Sequence, residues 1–343
     1  MFNQKIVETK LLIRKISILK LWNAFLVLIT FYLSKWLKRP IHLGNPISLS
    51  IEPTTSCNLR CPECPSGLRS FTRPTGMLSV GMFEKLINEL KDTLIYLTFY
   101  FQGEPFLHPK FLQMVKVAHQ AGIYTSTSTN AHYFSDKMAR ETVESGLDQL
   151  IVSLDGTTQE VYEQYRIGGN INKVLEGTKR VIEWKKKLKS DTPRIVFQFL
   201  VVKPNEHQIE EANQLADEMG VDKIVFKTAQ IYDYENGSPL IPSIQKYSRY
   251  KQNTDGTFSF KGSLERSCWR MWHSAVLTWD GKVAPCCFDK DAEHVLGSLK
   301  NDYIRFLDIW NAPSYTNFRK QLLEGRENID ICKNCTEGIK IFE

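Results

Sequence analysis

Cysteine is scarce in this chain, at eight of 343 residues, and too clustered for the disulfide framework of a secreted scaffold. The short spacings suit metal ligation in a reducing compartment, which points to the cytoplasm. Low-complexity segments and internal sequence repeats are absent. With hydrophobic residues at 42% and charged residues at 24%, the composition is that of a folded chain rather than a disordered one, and 343 residues exceed one ordinary core. Acidic residues are nearly missing from the beginning. Residues 1–46 hold eight Lys and Arg (Lys5, Lys10, Arg14, Lys15, Lys20, Lys35, Lys38, Arg39) against Glu8 alone, so the net charge of +6 resides there. The remainder is close to neutral and offers no electrostatic footprint for nucleic acid.

The leader also lacks a run long enough to cross a bilayer. LWNAFLVLITFYLS, Leu21 to Ser34, would span about 21 Å as a helix, short of the roughly 30 Å hydrocarbon core. Lys35, Trp36, Leu37, Lys38 and Arg39 follow where a secretory signal would need small residues. Two readings stay open. One is an interfacial helix, with residues 15–39 touching the inner membrane surface and its lysines meeting anionic headgroups. The other is a helix packed on the enzyme body or a partner.

After Pro46 short apolar strands alternate with amphipathic helices. Residues 47–53, 94–101, 122–129, 149–155, 194–202 and 222–228 read as strands. Residues 79–92, 108–122, 135–146, 171–189 and 205–220 read as helices, with Ser135 and Asn205 as N-caps and Gly122, Gly146 and Gly220 as stops. Repeated β-α units predict a parallel sheet with right-handed crossovers, and six of them match a partial (β/α)6 TIM-like barrel whose chemistry collects at the C-terminal strand ends. A doubly wound sheet is the alternative. Residues 236–260 are rich in Gly, Pro, Ser and Asn and read as a linker. AVLTWDGKVAPCC (275–287) reads as a type I′ hairpin around Asp280 and Gly281. The expected organisation is an N-terminal apolar helix (1–46), a barrel (47–240), a linker (241–260) and a small cysteine-bearing domain (261–343).

CNLRCPEC places Cys57, Cys61 and Cys64 directly after the first strand, spaced C-x3-C-x2-C with no fourth cysteine beside them. Three thiolates can hold three irons of a [4Fe-4S] cluster and leave one iron open, although zinc remains a reading of the triplet alone. This pattern resembles the radical S-adenosylmethionine (SAM) superfamily, in which the open iron is chelated by SAM. FYFQGEP, at the end of the second strand, is similar to that family's Gly-Gly-Glu motif: Gln102 stands in the first glycine position, with Gly103, Glu104 and Pro105 retained. The resemblance implies that Gly103 and Glu104 receive the methionine ammonium. STN (128–130), SLDG (153–156) and YRIGG (165–169) resemble further pocket stretches, which implies Ser153 for the ribose, Arg166 for the cofactor carboxylate and Asn130 for either ligand.

Beyond these, Cys268, Cys286 and the pair Cys332 and Cys335 in CKNC resemble the SPASM and twitch class of C-terminal domains, which bind auxiliary iron-sulfur clusters. Four ligands suffice for one auxiliary [4Fe-4S] cluster, the twitch-like count, with four-thiolate zinc as the alternative; Cys287 is surplus, or trades places with Cys286 as a ligand. Trp269, Trp272 and Trp310 read as core, and His108 as a residue that shapes its loop.

The resemblance implies an enzyme that reductively cleaves SAM to a 5′-deoxyadenosyl radical, supplied with electrons by a flavodoxin- or ferredoxin-like donor. The expected substrate is a small molecule such as a polyol or amino sugar, or a lipid-linked one, oxidised or rearranged with help of the auxiliary cluster. A SPASM-type peptide-modifying maturase and a non-enzymatic electron-transfer protein are the alternatives.

Overall fold

The structure, a computed structural model, describes residues 9–261 and 265–335. In chain order the principal elements are α1 (Ile18–Leu37), β1 (Ser48–Ile51), α2 (Val80–Leu90), β2 (Tyr96–Thr98), α3 (Phe111–Gln120), β3 (Tyr124–Thr129), α4 (Asp136–Glu144), β4 (Gln149–Ser153), α5 (Gln159–Tyr165), α6 (Ile171–Lys187), β5 (Arg194–Val201), α7 (Ile209–Met219), β6 (Lys223–Thr228), β7 (Tyr250–Gln252), β8 (Phe258–Phe260), β9 (Ser274–Leu277), β10 (Lys282–Ala284), β11 (Gly297–Ser298), α8 (Phe306–Trp310) and α9 (Pro313–Glu324). Strands β1 to β6, each but the last followed by a helix, are those of a partial (β/α) barrel, as the β-branched runs and the intervening amphipathic periods dictate. The Ser135 hydroxyl caps α4 by accepting the Met138 N–H at 3.2 Å. Asn205 does not cap α7. Its amide instead donates to the carbonyls of Asp155 and Leu200 and accepts from Val202 N, so it is a buried brace between strand ends.

The chain folds as two compact units whose division differs from the expected one. The first contains residues 9–56, 71–127 and 265–335, and the second contains 57–70 and 128–261. In the first unit β2 runs parallel to β1 and β3. On its other edge β1 pairs in parallel with β9, Ser48 opposite Ser274. The cysteine-bearing C-terminal segment is therefore bonded into the same sheet as the first β-α repeats, because SAVL supplies an apolar strand that the edge of β1 accepts. Strand β10 pairs antiparallel with β9, and β11 with β10. The turn is longer than type I′: Thr278 N donates to Lys282 O and Gly281 N to Thr278 O, both at 3.0 Å, and Gly281 alone takes the left-handed conformation, at φ 81°. Trp272 and Trp310 are fully buried in this unit, whereas Trp269 is half-buried. His108 shapes its loop as expected, bonding Leu78 O and the Lys110 N–H.

In the second unit β4, β5 and β6 pair in parallel, with Ile151 opposite Val196 and Phe197 opposite Ile224. The stretch expected as a linker is folded. Strands β7 and β8 form an antiparallel hairpin, Tyr250 opposite Phe260, and Leu240, Ile241 and Tyr250 pack with Leu59 and Cys61 in one apolar cluster. Its Gly, Pro and Ser content masked the alternating Phe258, Ser259, Phe260 that buries one face of the strand.

Candidate iron-sulfur and SAM site

In the second unit the segment that follows β1 wraps Cys57, Cys61 and Cys64 into a short loop. Cys64 N bonds Cys61 O, and Cys64 O accepts from Leu68 N as the short helix Pro65–Leu68 begins. Gly67 in that helix is a close-approach position, since a Cβ there would fall 2.5 Å from the backbone N and O of Cys61. Cys61 is buried, and Cys57 and Cys64 are half-buried. The loop is tied down at several points. Arg60 N donates to Ile167 O, an Arg69 guanidinium N–H to Cys57 O at 2.7 Å, and Tyr232 N to the Glu63 carboxylate at 3.0 Å.

Two of the pocket residues inferred from sequence reach these thiols. Asn130 Nδ2 lies 4.0 Å from Cys57 Sγ and donates to Asn58 Oδ1 at 2.8 Å. Arg166 Nη1 lies 3.7 Å from Cys61 Sγ, and its Nε bonds the carboxylate of Asp155. Asp155 is fully buried and its other oxygen accepts Leu200 N. Burial pushes the Cys61 thiol up, and the positive charge of Arg166 works in the opposite direction, toward thiolate. Ser153, at the end of β4, is buried with its hydroxyl 3.5 Å from that of Ser128. His132 completes this region. Its Nε2 accepts the Asn170 N–H, so Nδ1 carries the proton and donates to Asn130 O at 2.7 Å.

In the first unit, Gln102, Gly103 and Glu104 follow β2. Gly103 sits at φ 76°, and a Cβ there would fall 2.1 Å from Thr54 O and 2.9 Å from Ser56 O, so this turn admits only glycine. Gln102 and Glu104 are buried, and a Glu104 carboxylate oxygen accepts the Phe106 N–H at 3.2 Å.

The remaining thiols also belong to the first unit. Cys286 feels the charges of Cys287, Cys268 and Cys335, and Cys332 those of Cys335 and Cys268. Cys268, Cys286, Cys332 and Cys335 therefore lie within electrostatic reach of one another, and Cys287 is joined to them through Cys286 while also acting on Tyr100. A cation that sequence reasoning missed is set among them. Arg326 is buried, donates to Ser267 O at 3.4 Å and interacts with Cys268, Cys332 and Cys335. Burial pushes the Cys332 thiol up to about 12, against the pull of Arg326. Among the described residues no three His, Cys, Asp or Glu side chains close around a single metal ion, nor does a cubane cluster ask them to, since each thiolate ligates its own iron. Soft thiols with a cation beside each set, Arg166 half-buried and Arg326 buried, are the chemistry that an anionic iron-sulfur cluster fits.

The model of the Radical SAM superfamily matches residues 51–216, and that of SPASM, an iron-sulfur cluster-binding domain, matches residues 268–336. The chain is 27% identical over 299 residues to the tungsten-containing aldehyde ferredoxin oxidoreductase cofactor-modifying protein of Pyrococcus furiosus, covering 79% of this chain and 82% of that protein. It is 23% identical over 292 residues to the PqqA peptide cyclase of Gluconobacter oxydans, covering 80% and 79% respectively. Among solved structures, BtrN in complex with AdoMet and 2-DOIA shares the fold, with a TM-score of 0.54 at 19% identity over 87% of this chain and 95% of that one.

Proposed function

Because the chain belongs to the radical SAM superfamily and carries a SPASM domain, we propose that it takes a hydrogen atom from an unactivated carbon of its substrate and completes an oxidation or rearrangement with one auxiliary cluster. When bound, the first [4Fe-4S] cluster and SAM supply a 5′-deoxyadenosyl radical for that abstraction. Cys57, Cys61 and Cys64 would hold three of its irons, and the fourth is left to SAM. Arg166 keeps a positive charge against Cys61 and favours the thiolate that ligation requires. The Gly103 turn bares its backbone, and Glu104, fixed by the Phe106 N–H, offers a carboxylate to the methionine ammonium. Asn130 and Ser153 supply neutral hydrogen-bonding groups for the rest of the cofactor. Cys268, Cys286, Cys332 and Cys335 would hold the auxiliary cluster as an electron acceptor, with Arg326 offsetting its negative charge. The observation that carries this reading is the pairing of a three-thiol loop with a separate four-thiol group, each beside its own arginine.

Two substrate classes have support. The four C-terminal thiols, a twitch-like count, favour a polyol, amino-sugar or lipid-linked molecule. The likeness to a peptide cyclase over four-fifths of the chain favours a peptide. A flavodoxin- or ferredoxin-like donor in the cytoplasm would supply the electron.

Anaerobic reconstitution should yield about eight irons per chain, two clusters' worth, and dithionite with SAM should release 5′-deoxyadenosine. No such product with both clusters intact would refute the proposal. Alanine at Cys57, Cys61 and Cys64 should abolish cleavage. Cys268→Ala should spare cleavage but stop substrate turnover, and Cys287→Ala should leave the iron content unchanged. Comparing the peptides, polar metabolites and lipids of a deletion strain separates the two substrate classes.

A further inference from the structure

Helix α1 is amphipathic in the reverse sense: it faces the protein with its polar stripe and solvent with its apolar one. The buried side includes Lys20, Asn23, Thr30 and Ser34 together with Val27 and Phe31. These polar groups are all engaged. Lys20 Nζ donates to Gly122 O at 2.7 Å, Asn23 exchanges hydrogen bonds with the backbone of Asn45 at 2.9 and 2.7 Å, and Ser34 does so with that of Ile41 at 2.7 and 2.8 Å. Phe31 packs edge-on against Trp269 and Trp272. The rotation of the helix about its axis is thereby set by bonds that would be lost if it rolled.

The opposite side is a stripe at helical spacing: Ile18, Trp22, Phe25, Ile29, Tyr32 and Trp36. Trp22 is 59% exposed and Trp36 78%. A continuous apolar face of this size on a folded protein marks a contact surface. Its charge identifies the occupant. Residues 9–46 contain seven Lys and Arg and no Asp or Glu, and Lys10, Arg14, Lys35, Lys38 and Arg39 are exposed. Past the C-terminal turn of α1 a surface pocket of about 310 Å³ is lined by Lys38, Arg266, Leu323 and the ion pair of Lys35 with Glu265 at 2.9 Å, which leaves Lys38 and Arg266 as its uncompensated charges among the described residues. Trp22 and Trp36 stand toward the two ends of the stripe, the position of aromatic residues at a membrane-water boundary.

By length and composition α1 could also cross a membrane. At 20 residues it is longer than the charge-free run from Leu21 to Ser34 alone. Spanning would strip Lys20, Asn23 and Ser34 of their partners and place them in hydrocarbon. We infer that α1 instead lies in the plane of an anionic lipid surface, its stripe from Ile18 to Trp36 in the acyl boundary and its flanking lysines and arginines on the headgroups. The enzyme body then remains on the aqueous side, held by the polar bonds of α1.

Flotation of the full-length, cluster-loaded protein with vesicles tests this, comparing phosphatidylcholine alone with phosphatidylcholine plus phosphatidylglycerol. The wild type should float with the anionic vesicles, and rising salt should weaken the association. The double variant Trp22→Glu, Ile29→Glu should bind at least about tenfold more weakly, since each position loses the burial of a large apolar side chain, with SAM cleavage unchanged. Lys38→Gln with Arg39→Gln should remove the preference for anionic lipid. Wild-type tryptophan emission should shift to the blue on adding vesicles and be quenched by brominated acyl chains, a readout that needs no variant. A wild type that stays unbound at every lipid composition overturns the inference. So does a soluble dimer, or a complex with another protein, that the glutamate substitutions dissolve, because the stripe would then be a protein contact.

Discussion

Arg166 Nη1 lies 3.7 Å from Cys61 Sγ, which puts a guanidinium beside the buried member of the three-thiol loop. Arg166 also neutralises Asp155, whose side chain is wholly inaccessible. Truncation to alanine leaves that carboxylate buried without its counter-ion, a loss of about 3–5 kcal/mol by the usual cost of breaking a buried pair. Arg166→Ala should therefore lower Tm markedly. Arg166→Lys keeps the charge without the planar fork, and should recover part of the stability while altering the EPR spectrum of the reduced cluster at equal iron content. A wild-type spectrum in the lysine variant would mean that the arginine serves Asp155 alone.

Gly103 offers a second test because two costs can be separated there. Alanine at this position meets both a left-handed backbone and the Thr54 carbonyl oxygen at 2.1 Å. At Gly220, which caps α7 at φ 69° with nothing within 4 Å of where an alanine methyl would stand, only the backbone cost applies. Gly220→Ala should cost on the order of 1 kcal/mol and leave SAM cleavage alone. Gly103→Ala should destabilise by more than that, displace the Thr54–Ser56 segment and raise the KM for SAM. Equal losses of Tm in the two variants would show that the close approach at Gly103 relaxes freely.

Most of the barrel was legible because its signals are local. The strand runs and helix periods lie within single elements, and the stops at Gly122, Gly146 and Gly220 all take positive φ. The triplet Cys57, Cys61 and Cys64 stands out because its spacing within one loop is a local pattern too, whereas Cys268, Cys286, Cys332 and Cys335 are spread over separate segments. What escaped depends on packing between distant segments. Nothing near Ser274 announces that it will pair with Ser48. Residues 236–260 read as a linker because turn-forming residues outnumber the few aromatics that fold the hairpin onto the Leu59 and Cys61 cluster. Arg326 carries no motif, and its importance exists only through the burial that sets it among Cys268, Cys332 and Cys335. The apolar run in the leader was visible, but not its inward polar stripe, since the partners of Asn23 and Ser34 are backbone groups that follow the helix.

Arg326 should tune the auxiliary cluster rather than build it. A buried cation among thiolates stabilises the more negative, reduced state, so its removal should shift the midpoint potential of that cluster to more negative values. Arg326→Gln is expected to retain the iron content and slow substrate turnover, with SAM cleavage by the first cluster intact. Arg326→Lys should restore much of the potential. An EPR-monitored redox titration decides the matter, and an unchanged potential in the glutamine variant would reduce Arg326 to a structural role.

Two histidines of the first unit make stability depend on pH. Burial, reinforced by Arg319, depresses His42 to about 3, and burial with Arg270 depresses His273 to about 4. His42 packs edge-on against Trp310 and bonds Trp272 O at 3.0 Å, while His273 Nδ1 meets the Ser48 hydroxyl at 2.9 Å. Both rings are neutral in the folded state, whereas the unfolded chain takes up protons near pH 6.5. The unfolded state therefore binds more protons at mildly acid pH. Stability is fully present above about pH 6.5 and is lost as the pH falls from there toward the folded values, by about 1.4 kcal/mol per pH unit for each histidine. Urea unfolding at a series of pH values from neutral to about 5 should show this decline. His42→Gln, which keeps a donor for Trp272 O but cannot titrate, should flatten the slope even if it lowers stability at neutral pH, with the remainder coming from His273 and from His132, which burial also depresses. A wild-type profile without slope over this range would mean that these rings are protonated, or hydrated, in the native protein.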